Sequence, residues 1–291
     1  MRPGLVATVL VGVIAAGCAE VASDACADGT YCPVGSTCGT NNVCIAHERA
    51  CSQFADGMPC LVDKATSGFC ADDACSVGFE VIGYGLEMPT RSALAGMSVE
   101  MRGHPEVGVS LTNVNGYFSL RTPRLTTGVI TLTWPEAFVT ITRPVTIREA
   151  PVTLELSYGG IPIVPRLIAQ ALASQAGITL SPERGIVMGQ AYDLTRGTDD
   201  AGGLSVSVPP GRCAGPLYFD ASGTIVPTAS ATIAGAGVFV LGNCETGDLP
   251  LTMTSAIGPC RTLDSNETTT IVITPEPEKV LSLGRIACAP P

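Results

Sequence analysis

The chain is poor in the residues that most enzyme chemistry uses. Its 291 residues include two histidines, His47 and His104, and one tryptophan, Trp134; aromatic residues make up 5% and charged residues 14%. Two histidines so far apart in sequence cannot supply the paired ligands of an H-E-x-x-H metallohydrolase, and no G-x-S-x-G stretch forms a nucleophile elbow. Gly83 and Gly85 follow an apolar run, but Pro89 and no helical period come next, which argues against a phosphate-cradling loop. The acidic turns Asp199-Asp200-Ala201-Gly202 and Ala71-Asp72-Asp73 are too short for the alternating ligands of a calcium loop. Positive charge is also scarce, with 16 Lys and Arg against 26 Asp and Glu and a net charge of -10. Without a basic stripe to neutralise phosphates, nucleic acid is not an expected partner. These absences together predict no catalytic residues, no resident metal and no cofactor.

A long apolar run is missing too. The stretch from Leu5 to Ala16, after Met1-Arg2, is too short to span a bilayer and reads as the apolar region of a signal peptide over residues 1–17. Directly after it, Ala15-Ala16-Gly17-Cys18 resembles the lipobox of bacterial lipoproteins, with Ala15 where that family usually has Leu. The resemblance implies lipidation of Cys18, membrane attachment through that N-terminal lipid, and a place in the cell envelope. Ala19 lacks the Asp that often retains such lipoproteins in the inner membrane, so the outer membrane or cell surface is expected. The alternative is ordinary signal cleavage at an Ala-x-Ala-like site and a secreted protein.

Against these absences stands an abundance of cysteine, 13 in all. With Cys18 set aside, the rest fall into two even groups. Cys26, Cys32, Cys38, Cys44, Cys51, Cys60, Cys70 and Cys75 form the first; Cys213, Cys244, Cys260 and Cys288 form the second. An exported chain with even local groups predicts four disulfides and then two, with connectivity open, since eight cysteines allow 105 pairings and four allow three. No C-x2-C pair supports a zinc site instead. Residues 18–78 therefore read as a lipidated N-terminus and a small cysteine-rich module held by cross-links rather than by a core. Its run Asp28-Gly29-Thr30-Tyr31-Cys32-Pro33-Val34-Gly35-Ser36-Thr37-Cys38 resembles short cysteine-rich modules of bacterial surface proteins.

The remainder is written in a β vocabulary, with 33 Gly and 22 Pro marking turns. Met97, Val99 and Met101 alternate onto one face, Asn115-Gly116 reads as a hairpin turn between Val109-Ser110-Leu111 and Tyr117-Phe118-Ser119-Leu120, and further short strands run to Val152-Thr153-Leu154. Several such strands within 79–158 predict a β-sandwich. The segment from Leu94-Ala95-Gly96-Met97 through Asn113-Val114-Asn115-Gly116-Tyr117-Phe118 resembles the carboxypeptidase regulatory-like domain, a transthyretin-like sandwich. Gly116 and Phe118 match that family's Gly-x-Phe turn, and Asn113 or Asn115 replaces its usual Asp. The resemblance implies a supporting or binding role, not catalysis. A second copy follows over 183–291: Gly203-Leu204-Ser205-Val206 parallels Gly96-Met97-Ser98-Val99, and Gly237-Val238-Phe239 parallels Gly116-Tyr117-Phe118. Between them, in 159–182, Pro165 to Gly177 predicts one short helix, with Leu167, Ile168, Ala171 and Leu172 as the apolar face that packs on the sandwiches.

The expected fold is thus mainly β: a small disulfide-rich module followed by two tandem Ig-like or transthyretin-like β-sandwiches joined by one short helix. His104 and Glu106 offer an acid/base pair, but their position in the loop after Met101 reads better as a solvated turn. Trp134 reads as sandwich core or rim, and Asn266-Glu267-Thr268 as a glycosylation sequon of little weight in a bacterial chain. The expected function is that of a non-enzymatic envelope lipoprotein acting as a structural, adhesive or ligand-binding module, with a protein or glycan ligand. The other reading is an accessory subunit of an exported peptidase or glycan-active system. Oligomeric state is not readable.

Overall fold

A computed structural model describes residues 24–39, 42–46, 51–53, 56–63, 66–71, 73–147, 152–154, 159–199, 201–264 and 269–289. The 1–17 segment, Cys18, His47, Asp72, Asp200 and the sequon at Asn266 lie outside these residues. The chain is mainly β, with a disulfide-rich N-terminal region ahead of β-sandwich-like layers.

In the N-terminal region, β1 (Ser36–Cys38) and β2 (Cys44–Ala46) form one small sheet, and β3 (Pro59–Leu61), β4 (Ser67–Ala71) and β5 (Ala74–Ser76) another. Strands this short bury too little to hold themselves together. Four disulfides do so: Cys26–Cys38, Cys32–Cys44, Cys51–Cys70 and Cys60–Cys75. In each block of four, the first cysteine bonds the third and the second the fourth. Cys38 faces Cys44 across one hairpin and Cys70 faces Cys75 across another, yet each bonds outside its own hairpin. The region rests on the first sandwich, where the Asn42 side-chain amide donates to the Val109 carbonyl at 2.8 Å.

The first sandwich contains β6 (Phe79–Glu87), β7 (Ser92–Ala93), β8 (Ser98–Arg102), β9 (Val109–Leu111), β10 (Tyr117–Thr122), β11 (Thr127–Thr133), β12 (Val139–Thr146), β13 (Val152–Thr153) and β14 (Ile161–Ile163). The second contains β15 (Gly185–Tyr192), β16 (Leu204–Ser207), β17 (Ala214–Tyr218), β18 (Val238–Cys244), β19 (Leu249–Ser255), β20 (Cys260–Thr262), β21 (Thr270–Ile273) and β22 (Lys279–Cys288). The two repeat one topology. β6 carries β10 antiparallel and β13 parallel, and β15 carries β18 antiparallel and β22 parallel. Opposite them run β8-β11-β12 and β16-β19-β21.

Side chains repeat as well. Phe118 lies across from Gly83, and Phe239 across from Gly189. A Cβ on Gly83 would meet the Phe118 ring at 2.8 Å, and one on Gly189 the Phe239 ring at 2.6 Å, so each glycine makes room for the phenylalanine that fills the core. Two buried threonines form matching latches. Thr112 accepts from the Met97 amide and donates to the Leu94 carbonyl; Thr232 accepts from the Leu204 amide and donates to the Ala201 carbonyl.

The Asn115-Gly116 turn is tight, with Asn113 Oδ1 accepting from the Asn115 and Tyr117 amides, but it does not make the expected hairpin. β9 pairs β8 in one sheet while β10 pairs β6 in the other, so the chain arches across the core at this point. The alternating pattern of both flanks sets their burial but not which sheet each joins.

The larger departure from two separate sandwiches lies at β22. Its first half sits between β15 and β12, parallel to both; its second half runs between β15 and β20. One mixed sheet therefore continues through both sandwiches in the order β17-β18-β15-β22-β12-β11-β8-β9. A central parallel strand is covered on both faces, and Val280 through Leu283 are all buried. Cys260–Cys288 pins β20 to β22, and Cys213–Cys244 closes β17 on β18.

The helix α1 (Arg166–Gln175) spans the junction. Its start is tied to the first sandwich: the Arg166 amide donates to the Glu136 carbonyl, and the guanidinium stacks 4.6 Å above the Phe138 ring. Its end is a Schellman cap, with Gly177 at φ 70°, the Gly177 amide donating to Ser174 and the Ile178 amide to Ala173. The segment leaving it is tied to the second sandwich by Asn243, which accepts from the Ser181 amide and donates to the Thr179 carbonyl. The buried face differs from the one expected. Ala169 and Ala173 are buried, Ile168 and Leu172 half-buried, and Leu167 and Ala171 exposed. Small side chains let the helix approach the sheet closely, and this rotates Leu167 out to solvent.

Since β22 is core to both sandwiches, Leu283→Ala is expected to cost about 2–5 kcal/mol. Differential scanning calorimetry should show both sandwiches still melting in a single transition at lower temperature. Two resolved sandwich transitions would contradict the shared-strand account. Thr112→Val and Thr232→Val should each cost about 1–3 kcal/mol by stranding a buried amide, and the two losses should be similar in urea titrations.

Candidate functional site

The strands β15 and β18 are apolar on both faces, which a sheet with one solvated face would not need. Val187, Leu241 and Phe239 point into the second core. On the opposite face, Met188 lies beside Val240 and Gln190 beside Val238, with Leu217 of β17 next in register to Val240. The helix α1 covers part of this face, where Val164, Ala169, Ile186, Met188 and Val280 form a small buried cluster.

Between the helix and the uncovered part of the sheet lies a partly enclosed cleft of about 220 Å³. Its floor is Met188, Val238, Val240 and Leu217, and its roof Ile168, Leu172 and Ile178. Its rim joins two turns, one from each sandwich: the turn at Met88-Pro89 and the turn at Asp220 to Gly223. They meet closely enough that a Cβ on Gly223 would sit 3.1 Å from Pro89. A concave apolar site at a junction between layers is where small ligands are most often held.

One end of the cleft is polar. Asp199 is held by Arg285 through two hydrogen bonds, the Nη2–Oδ2 one at 2.7 Å, and by Arg91 at 3.3 Å. Arg285 also lies 4.7 Å from the centre of the Tyr192 ring. Gln190 donates to the Asp199 carbonyl at 2.8 Å, and Arg91 Nη2 donates to the Gly159 carbonyl at 3.0 Å. Arg91 lines the cleft, and among the described residues its Nε and Nη1 have no partner. Asp220, on the rim, spends Oδ1 on the Ser222 amide and hydroxyl and the Thr224 amide, and the Ser222 hydroxyl holds its pKa below the ordinary range.

Sequence reasoning did not find this site. Its parts come from five separated stretches, 88–91, 164–199, 217–223, 235–242 and Arg285, and the one signal was the two-sided apolar character of β15 and β18. Asp199, read as an acidic turn, is instead the centre of an ion-pair cluster. Trp134 is half-buried against the first core. Gly83 and Gly85 lie within β6, not in a phosphate loop.

His104 and Glu106 do meet, Nδ1 to Oε1 at 2.8 Å, while Nε2 lies 3.0 Å from the Thr127 carbonyl. Both ring nitrogens thus face acceptors. Burial lowers the His104 pKa, but the Glu106 hydrogen bond and the Thr127 carbonyl outweigh it and the net shift is upward. Both ring nitrogens are thus engaged at the turn itself. The sulfurs of Cys26, Cys32 and Cys38, and of Cys51, Cys60 and Cys75, cluster closely, but every one of them is in a disulfide.

Around the junction, ion pairs cross between sandwiches. Arg102 of β8 forks onto Glu276, which Lys279 also reaches at 2.6 Å, and Arg143 of β12 lies 3.5 Å from Asp264. The Arg102 hydrogen bond, reinforced by Lys279 and opposed in part by burial, holds the Glu276 carboxyl at about 2.

No protein-family profile matches the sequence, and no curated protein is similar to it. Among solved structures, a type II cohesin–X-dockerin complex from Acetivibrio cellulolyticus is 24% identical over 26% of this chain and 51% of that one, with a TM-score of 0.23. The Bacillus anthracis TIE protein is 11% identical over 72% of this chain and 34% of that one (TM-score 0.24), and the shaft pilin SpaA from Lactobacillus rhamnosus GG 12% identical over 73% and 98% (TM-score 0.23). The chain thus spans about half and a third of the first two. Superpositions this loose transfer neither topology nor ligand. Among the described residues, no helix is long and apolar enough to cross a membrane.

A carboxyl whose pKa is lower folded than unfolded stabilises the fold above its ordinary value near 4.5 and loses that contribution as pH falls toward 2. Urea midpoints at pH 5.5 and pH 2.5 should therefore fall more for the native chain than for Glu276→Gln, with the two converging at the lower pH. Parallel losses would rule out Glu276 as the cause.

Proposed function

We propose that this chain is a non-enzymatic, extracytoplasmic binding module of the bacterial cell envelope, carried on a lipid at Cys18, with the junction cleft as its ligand site. The observation that supports it most directly is the cleft: an apolar cavity built jointly by both sandwiches and the helix, with a polar end. The six disulfides suit an oxidising compartment. In this reading residues 1–17 are removed, 18–78 form the anchored, cross-linked base, and 79–158 and 183–291 are carboxypeptidase regulatory-like sandwiches clamped by the 159–182 linker. The base docks on the first sandwich through Asn42.

Intact mass spectrometry of membrane and medium fractions tests the anchor and the cross-links together. The expected species is membrane-bound, begins at Cys18, carries acyl mass, and yields twelve alkylatable thiols only after reduction. A soluble species lacking Cys18 would overturn the anchor, and thiols that react before reduction would overturn the full set of cross-links.

A further inference from the structure

We infer that the cleft takes a small amphiphile with one aliphatic tail and an anionic head, the tail between α1 and the β15–β18 floor and the head on Arg91; this rests on the ligand-site reading above. Three observations select that chemistry. First, the floor strands β15 and β18 are paired on both edges, β15 by β22 and β18 and β18 by β15 and β17, so the floor beneath α1 offers no free backbone ladder. A peptide laid there would bury unsatisfied amides, whereas a hydrocarbon has none to satisfy.

Second, the volume of about 220 Å³ is larger than the roughly 150 Å³ apolar cavity known to admit benzene. It accommodates a short chain and not a folded partner. Third, the charge at the mouth is arranged for an anion. Asp199 is already satisfied by the two hydrogen bonds from Arg285, so the Arg91 contact to it is a second cation on one carboxylate. Arg91 Nε and Nη1 remain as separate charge-assisted donors to a carboxylate or similar head, since Nη2, which both guanidinium forks share, is already committed to Gly159 and Asp199. The Asp220 carboxylate on the same rim is turned into its own loop by three hydrogen bonds to one of its oxygens, and the Gln190 amide donates to the Asp199 carbonyl.

The test is isothermal titration of the full chain with octanoate and with octanol, alongside the variants Arg91→Gln and Val240→Trp. Octanoate is expected to bind about tenfold more tightly than octanol, Arg91→Gln to erase the difference, and Val240→Trp, which fills the floor, to lose both. Methyl NMR of the native chain locates the ligand without any substitution: Met88 and Met188 should shift, and the core residues Met101 and Met253 should not. Equal binding of the two probes, with the Met88 and Met188 shifts intact, would overturn the anionic head and leave the ligand site standing. No binding of either probe, or binding that leaves Met88 and Met188 unmoved, would overturn both.

Discussion

Both sandwiches depend on one strand. β22 completes the second sandwich against β15 and at the same time extends the first through β12, so its main-chain groups are satisfied only when the two are side by side. A strand with neighbours on both edges and side chains buried on both faces has no solvated alternative, because leaving either neighbour would bare amides and apolar surface together. Everything at the junction follows from that arrangement. The ion pairs from Arg102 and Arg143, the double tether of α1 and the cleft beneath it all require the sandwiches to be held in a single relative position, and the shared sheet supplies it.

The N-terminal region shows the opposite solution. Its described buried apolar side chains are few beyond the cysteines themselves, chiefly Ile45 and Phe69. Where apolar area is too small to pay for ordering the chain, covalent loops of 12 to 19 residues restrict the unfolded state instead. The same chain thus contains a region ordered by cross-links and a region ordered by burial, and Asn42 joins them by capping an exposed strand edge.

Much of this was legible in the residues. Alternation marked the strands, the two even cysteine groups marked the two cross-linked regions, and the paired Gly-x-Phe segments marked a duplication whose two three-stranded layers the structure repeats, although β9 and β17 join different layers. What was not legible depended on pairing over long separations. Nothing local distinguishes a turn that folds back on its own sheet, as Asn115-Gly116 was read, from one that arches to the other. Nothing in Lys279–Cys288 says that its parallel neighbours lie on both sides. The Thr112 and Thr232 latches were hidden for a similar reason, since the intervals to Gly96 and Gly203 differ and mask their equivalence. The helix face was misassigned because Leu167 outweighs alanine on any hydrophobic scale, while close approach to a sheet favours the smaller side chain. The cleft was invisible because its walls converge only after the sandwiches fuse.

The crossed pairing of the first eight cysteines has a consequence for biosynthesis. A chain delivered N-terminus first presents Cys26 and Cys32 together before Cys38 arrives, and Cys51 and Cys60 together before Cys70. Bonds closed in order of arrival would join neighbours, whereas the folded pairing skips one cysteine each time. Reaching it requires either that oxidation wait for the whole block or that early bonds be exchanged through thiolate attack. Maturation of this region is therefore set by the timing of oxidation or by the isomerising capacity around it, and not by the amount of oxidant alone.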